Sequence, residues 1–179
     1  MTIAIKPTAS GSTIEQNGST ILTVDSSGNI TPSNQLYPKV PTFSARLGSD
    51  QSISSSTFTK VQYNSEDWDT SSDYDNSTNY RYTPSVAGYY QVNANLRINY
   101  SGSASDQTYL AIWKNGTFWT NTSRLNVTSL YGSLSISSIV YCNGSTDYIE
   151  IYAQSKHASS WFDENNSVPS RFSAVLVSV

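Results

Sequence analysis

The chain has 179 residues and a net charge of −3, with 37% hydrophobic and only 13% charged residues. That length suits one domain with a full core plus an appendage. The charge excludes the clustered Lys and Arg that grip nucleic acid or an anionic membrane, and no apolar run approaches the roughly 18–20 residues of a membrane-spanning helix.

Thirteen tyrosines against one methionine suit pleated surfaces better than helices. Ser, Thr and Asn exceed a third of the sequence, so the surface is polar through hydroxyls and amides, as on a secreted or virion-surface protein. The start, MTIAIKPTAS, lacks the charged and apolar regions of a signal peptide, which leads us to expect synthesis in a cytoplasm without Sec export. Cys142 has no partner in the chain, which excludes an intrachain disulfide and a cysteine-rich metal site.

Residues 1–40 read as an arm. Two short β-like runs, Ser19 to Val24 and Asn29 to Thr31, flank the turn composition Asp25-Ser-Ser-Gly28. Hairpin-sized pieces bury too little surface to be stable alone, so the arm needs another chain or a larger particle. The prolines at 32, 38 and 41 then mark an extended linker.

From residue 41 onward, short alternating or apolar runs recur at roughly 8–15 residue intervals, the pattern of an all-β sandwich or barrel. The expected strands are 42–47, 57–63, 80–84, 88–100, 107–116, 133–143, 147–154 and 170–179. Asn115-Gly116 and Asn143-Gly144 read as hairpin turns. No stretch carries a sustained i, i+3, i+4, i+7 apolar face, so almost no helix is expected. A last strand, SAVLVSV, that is apolar on both faces implies a central position or cover by another subunit.

Across residues 43–179 the order of motifs carries a resemblance. It begins with Phe43-Ser44-Ala45, FTKVQYN (58–64) and YDNSTNYRYTP (74–84), and continues with GYYQV (88–92) and LAIWKNGT (110–117). SSIVYCNGSTDYIEI (137–151) and SRFSAVLV (170–177) complete the series. Together these resemble the C1q-like domain of the C1q/tumour-necrosis-factor superfamily, although no collagen Gly-X-Y stalk precedes it and Ala174 replaces a closing Gly. The resemblance implies an antiparallel two-sheet jelly roll that forms a homotrimer. It also implies that the Gly88-to-Val92 strand lies near a threefold axis, with Tyr90 and Val92 as trimer contacts. The alternative is that these tyrosines fill one subunit's own core.

Little in the sequence points to catalysis. His157 is the single histidine, Gly-x-Ser-x-Gly is absent, and the reading is a non-enzyme without a resident cofactor. Asp67, Asp69, Asp73 and Asp75 crowd one acidic stretch with Glu66 and are candidate calcium ligands, the bland reading being a solvated loop. Trp68, Tyr74 and Trp161 are candidate aromatic contacts for a receptor or glycan.

The arm sequence NGSTILTVDSSGNIT also resembles hairpin segments at the start of bacteriophage fibre and appendage proteins. These expectations combine into a phage virion protein made in the bacterial host cytoplasm. It would be a homotrimeric fibre head or knob that binds other virion proteins through residues 1–40 and a host cell-surface glycan or protein through its head. A capsid decoration protein without a receptor and a free lectin-like module are the alternatives.

Overall fold

A computed structural model describes residues 3–32, 40–100, 107–125, 131–164, 167 and 169–179. Its regular elements are all β-strands, and the chain divides into two compact units, Met1–Lys39 and Val40–Val179. Most of the expected linker, residues 33–39, lies outside the described residues.

The first unit is a four-stranded antiparallel meander of β1 (Ile3–Thr8), β2 (Gly11–Gln16), β3 (Ser19–Asp25) and β4 (Ile30–Pro32). Two of these strands go beyond the sequence reading. Pro7 hides β1, and it is tolerated because β1 is an edge strand. Asn17 and Gly18, with φ of 52° and 84°, make the tight turn into β3. The Asp25 carboxylate accepts from the Asn29 side chain and from the Ser27 and Asn29 amides, which closes the β3–β4 turn and lowers the Asp25 pKa.

The second unit is a two-sheet sandwich. Its strands begin with β5 (Thr42–Arg46), β6 (Gln51–Ser52), β7 (Thr59–Lys60), β8 (Ser65–Asp69), β9 (Tyr74–Asp75) and β10 (Arg81–Tyr82). They continue with β11 (Ala87–Tyr100), β12 (Gln107–Lys114), β13 (Thr117–Leu125), β14 (Tyr131–Asn143), β15 (Ile149–Ser155), β16 (Ser160–Phe162) and β17 (Arg171–Ser178).

One sheet runs β13-β12-β15-β10-β9, with β7 also paired to β15. The other runs β6-β16-β11-β17-β5-β8, with β14 along the free side of β11 from Ala87↔Asn143 to Asn99↔Tyr131. The acidic strand β8 and the polar strand β13 were not expected, since neither shows an apolar alternation.

Strand β11 shows why the sandwich forms. Tyr90, Val92, Ala94, Leu96 and Ile98 point to one side and are buried, whereas Tyr89, Gln91, Asn93, Asn95 and Arg97 point to the other. Each fully buried Val, Leu or Ile contributes about 1.5–3 kcal/mol relative to exposure. Opposite them stand Leu110, Ile112, Ile149 and Ile151, also fully buried. At one end Phe43 stacks on Tyr74 and Tyr82, with centroids 4.6 and 4.4 Å away, and Phe172 meets it edge-on at 4.8 Å. The closing strand β17 buries Phe172 and Ala174 and turns Val175 and Val177 outward.

The two expected hairpin turns part ways. Asn115 and Gly116, with φ of 54° and 71°, join β12 to β13 as a tight hairpin. Asn143-Gly144 instead carries the chain from one sheet to the other, because β14 pairs with β11 while β15 pairs with β12. The Asn143 side-chain oxygen accepts from the amides of Ser145, Thr146 and Asp147, which shapes that crossing. Gly88 lies within β11 rather than in a turn. A Cβ there would come within 2.4 Å of the Ser178 carbonyl oxygen, so β17 closes against it only because it is glycine.

Candidate functional site

The outward side of the β14-β11-β17-β5-β8 portion is one continuous face, and pairing register fixes its rows. Tyr141 stands opposite Tyr89; Ile139, Gln91, Val175 and Thr42 form the next row, and Ser137, Asn93, Ser173 and Ser44 the one after. Ser135, Asn95, Arg171 and Arg46 follow.

The first rows are apolar and bare. Tyr89, Ile139, Tyr141 and Val177 are 46–54% exposed, and the Tyr89 and Tyr141 rings lie 5.3 Å apart. Trp119 is also half exposed but lies outside this face: it comes from β13 of the other sheet and places its Nε1 3.4 Å from the hydroxyl oxygen of Ser138, which pairs with inward-facing Val92. Half-exposed aromatics grouped on a sheet face are costly to leave in water and mark an interaction surface.

The middle rows are a hydrogen-bonding net. Gln91 Nε2 donates to the Ser137 hydroxyl at 2.6 Å, and the Ser137 hydroxyl donates to the Asn93 side-chain Oδ1 at 3.0 Å. A shallow depression of about 370 Å³ lies here, lined by Asn93, Asn95, Ser135, Ser137, Arg171 and Ser173. Beyond it Arg171 and Arg46 converge on Asp67. Arg97 pairs with Asp163 at 2.6 Å while covering the Tyr131 ring at 4.3 Å. Burial raises the Asp163 pKa against the pull of Arg97. The face thus passes from an apolar zone through a polar net to paired charges, a zoning that protein interfaces share.

The expected site residues fare unequally. Tyr90 and Val92 are fully buried inside one chain, so their assignment as trimer contacts is corrected: strand alternation turns Tyr89 and Gln91 outward in their place. The Tyr90 hydroxyl donates to the Val86 carbonyl at 2.7 Å, and burial pushes its pKa up to about 12.

Tyr74 is likewise corrected as a receptor contact. It is buried against Phe43 with its hydroxyl donating to the Tyr63 carbonyl. Trp68 is half exposed on edge strand β8, and Trp161 is partly buried on β16. Register sets Trp161 opposite Asn99 and puts Trp68 in the row of Ser44, Ser173 and Asn93, so six residues of β11, about 20 Å, separate the two tryptophans along the sheet and they do not share one patch.

The four aspartates do not converge. Asp67 is held by Arg46, Arg171 and the Ser44 hydroxyl. Asp69 accepts from the amides of Ser71, Ser72 and Tyr74, and Asp73 accepts from the Ser85 amide and hydroxyl. Asp75 accepts from the amides of Ser77, Thr78 and Asn79, and the Thr78 bond above all holds its carboxyl far below the usual carboxylate range. Among the described residues no three His, Cys, Asp or Glu side chains gather where they could hold a metal ion. The crowding that suggested calcium comes from three loop-closing carboxylates and one ion-pair partner.

His157 sits in a bend with its Nδ1 3.1 Å from the Ser159 amide, and its ring is edge-on to Tyr100. Cys142 is buried, and burial raises its thiol pKa to about 11.

No family model and no curated protein matches the sequence. Solved structures do match the fold. Murine APRIL at pH 5.0 superposes with a TM-score of 0.60 at 9% identity, covering 77% of this chain and 99% of that one. The unit of residues 40–179 is a C1q/TNF-like jelly roll. The globular domain of zebrafish complement 1qA gives 0.55 at 16% identity over 77% of this chain and 97% of its own. Eiger TNF from S. frugiperda gives 0.54 at 10% identity, covering 78% and 92%.

Proposed function

We propose that the protein is a bacteriophage virion component: a homotrimeric fibre head or knob, displayed on its N-terminal arm and used for host adhesion rather than catalysis. The observation that carries the trimer is the bare apolar end of the outward face, built by Tyr89, Ile139, Tyr141 and Val177. Copies meeting there would cover these side chains, and the C1q/TNF-like fold supports the same stoichiometry. The virion reading is supported by the arm's likeness to fibre-protein hairpins and by a surface rich in hydroxyls and amides. Three heads give a trivalent binder, in which weak single contacts multiply. Trp68, half exposed on an edge strand, is the first candidate for such a contact, with Trp161 second.

Light scattering on the full chain at micromolar concentration tests the assembly. The expected mass is three times the 19.6 kDa of one chain, falling to one when Tyr89 and Ile139 are both replaced by Asp. A wild-type monomer would overturn the reading. Adhesion is tested with labelled trimer on intact bacteria: saturable binding weakened at least tenfold by Trp68→Ala supports it. Incorporation into capsids without any cell binding would favour a decoration role instead.

A further inference from the structure

The arm sheet is sharply two-faced. Ile5, Ile14, Leu22 and Pro32 stand in one row across its four strands, and Pro7, Ser12, Val24 and Ile30 form the next row on the same side. Ile3 extends this side. The opposite side carries the row Lys6, Thr13, Thr23 and Thr31, with Lys6 paired to Glu15 at 2.6 Å. No described residue of the arm is buried, and Ile3, Ile5 and Ile30 are 58–71% exposed. A single sheet layer needs a second layer over its apolar side to be stable.

We infer that the missing layer is the same sheet in the sister subunits, so that three arms turn their isoleucine faces inward and their threonine faces to water. The inference rests on the trimeric reading of the head. By strand spacing and rise, strands of six, six, seven and three residues present a face of about 350 Å². Three such faces bury about 1,050 Å², which clears the roughly 1,000 Å² expected of a specific interface.

The tether makes sister copies the favoured occupants. Nine residues separate Pro32 from Thr42, a span of at most about 35 Å, so a trimeric head holds three arms at millimolar effective concentration. The face also carries no charge that would oppose an identical copy, since Lys6 and Glu15 lie on the other side. Under this arrangement virion partners meet the threonine face or the sheet edges, not the isoleucines.

The test uses full-length protein with Ile5→Cys on the apolar side or Thr23→Cys on the polar side, treated with a short bismaleimide. Wild type, with its single buried Cys142, is the background control. Ile5→Cys is expected to give covalent dimers at least tenfold faster than Thr23→Cys, in samples whose mass remains that of a trimer. A trimer without this face selectivity overturns the inference and leaves the head reading standing. A monomer overturns the head reading and the inference with it. Hydrogen exchange gives an independent readout. Leu22→Asp is expected to speed exchange across Gly11–Asp25 at least a hundredfold with the head's own protection unchanged, and undiminished protection in the arm overturns the inference.

Discussion

Adjacent tyrosines 89 and 90 should fail in opposite ways when altered. Tyr90→Phe removes one hydroxyl that donates to the Val86 carbonyl at 2.7 Å inside the core. Loss of such a bond costs about 1 kcal/mol, or about 3–4 °C of melting temperature for a head of this size. Tyr90→Ala also opens a cavity beside Tyr82, whose ring centroid lies 5.7 Å away, and should cost about 3–5 kcal/mol. Tyr89→Ala removes a half-exposed ring. It should change subunit stability by less than about 0.5 kcal/mol yet weaken association by about 1–2 kcal/mol per contact. The assay pairs guanidinium melts with light-scattering mass, at one protein concentration, because association itself shifts apparent stability. Dissociation by Tyr90→Phe with an unchanged melt, or unfolding by Tyr89→Ala, would refute the inward and outward assignment.

Alkaline pH should destabilise the head. Burial raises the pKa of Tyr63, Tyr74 and Tyr82 well above 10.0 and that of Tyr90 to about 12. The unfolded chain therefore releases these protons first, so stability is intact below pH 10 and falls above it by up to about 1.4 kcal/mol per pH unit for each such tyrosine. Denaturation midpoints at pH 9, 10 and 11 would show it, and a flat profile would contradict it.

Asp147→Ala should cost about 1–2 kcal/mol by removing hydrogen bonds that end on a charged carboxylate. This carboxylate receives the Asn115 side chain at 2.7 Å, the Asn143 amide at 3.0 Å and Lys114 at 3.0 Å, tying the hairpin to the crossing loop. A midpoint unchanged in urea would argue against that tie. Millimolar calcium should leave the melting temperature within about 1 °C, because Asp69, Asp73 and Asp75 already serve loop amides; a larger rise by scanning calorimetry would show a site.

Much of this was legible in the sequence. The run from Val92 to Ile98 places Val, Ala, Leu and Ile on even positions and polar residues on odd ones, which already turns Tyr90 inward with its neighbours. Expecting a contact at Tyr90 gave a motif's likeness precedence over that parity. Strand β8 was not legible, because its edge position lets Ser65–Asp69 remain acidic and largely exposed. Strand β13 escaped for a related reason: it borders its sheet and needs apolar cover on little of its length.

By itself the sequence determined the all-β class, the main core strands and the Asn115-Gly116 hairpin. These follow from local rules, period-two hydrophobicity and the positive φ angles that a two-residue turn demands. Only the tertiary structure decided which sheet each strand joins, that Asn143-Gly144 crosses between sheets, and that Asp69, Asp73 and Asp75 close loops while Asp67 pairs with Arg46 and Arg171. It also assembled Tyr89, Ile139, Tyr141 and Val177 into one bare face. Those outcomes depend on pairings between residues as far apart as Thr42 and Val175, which no local pattern encodes.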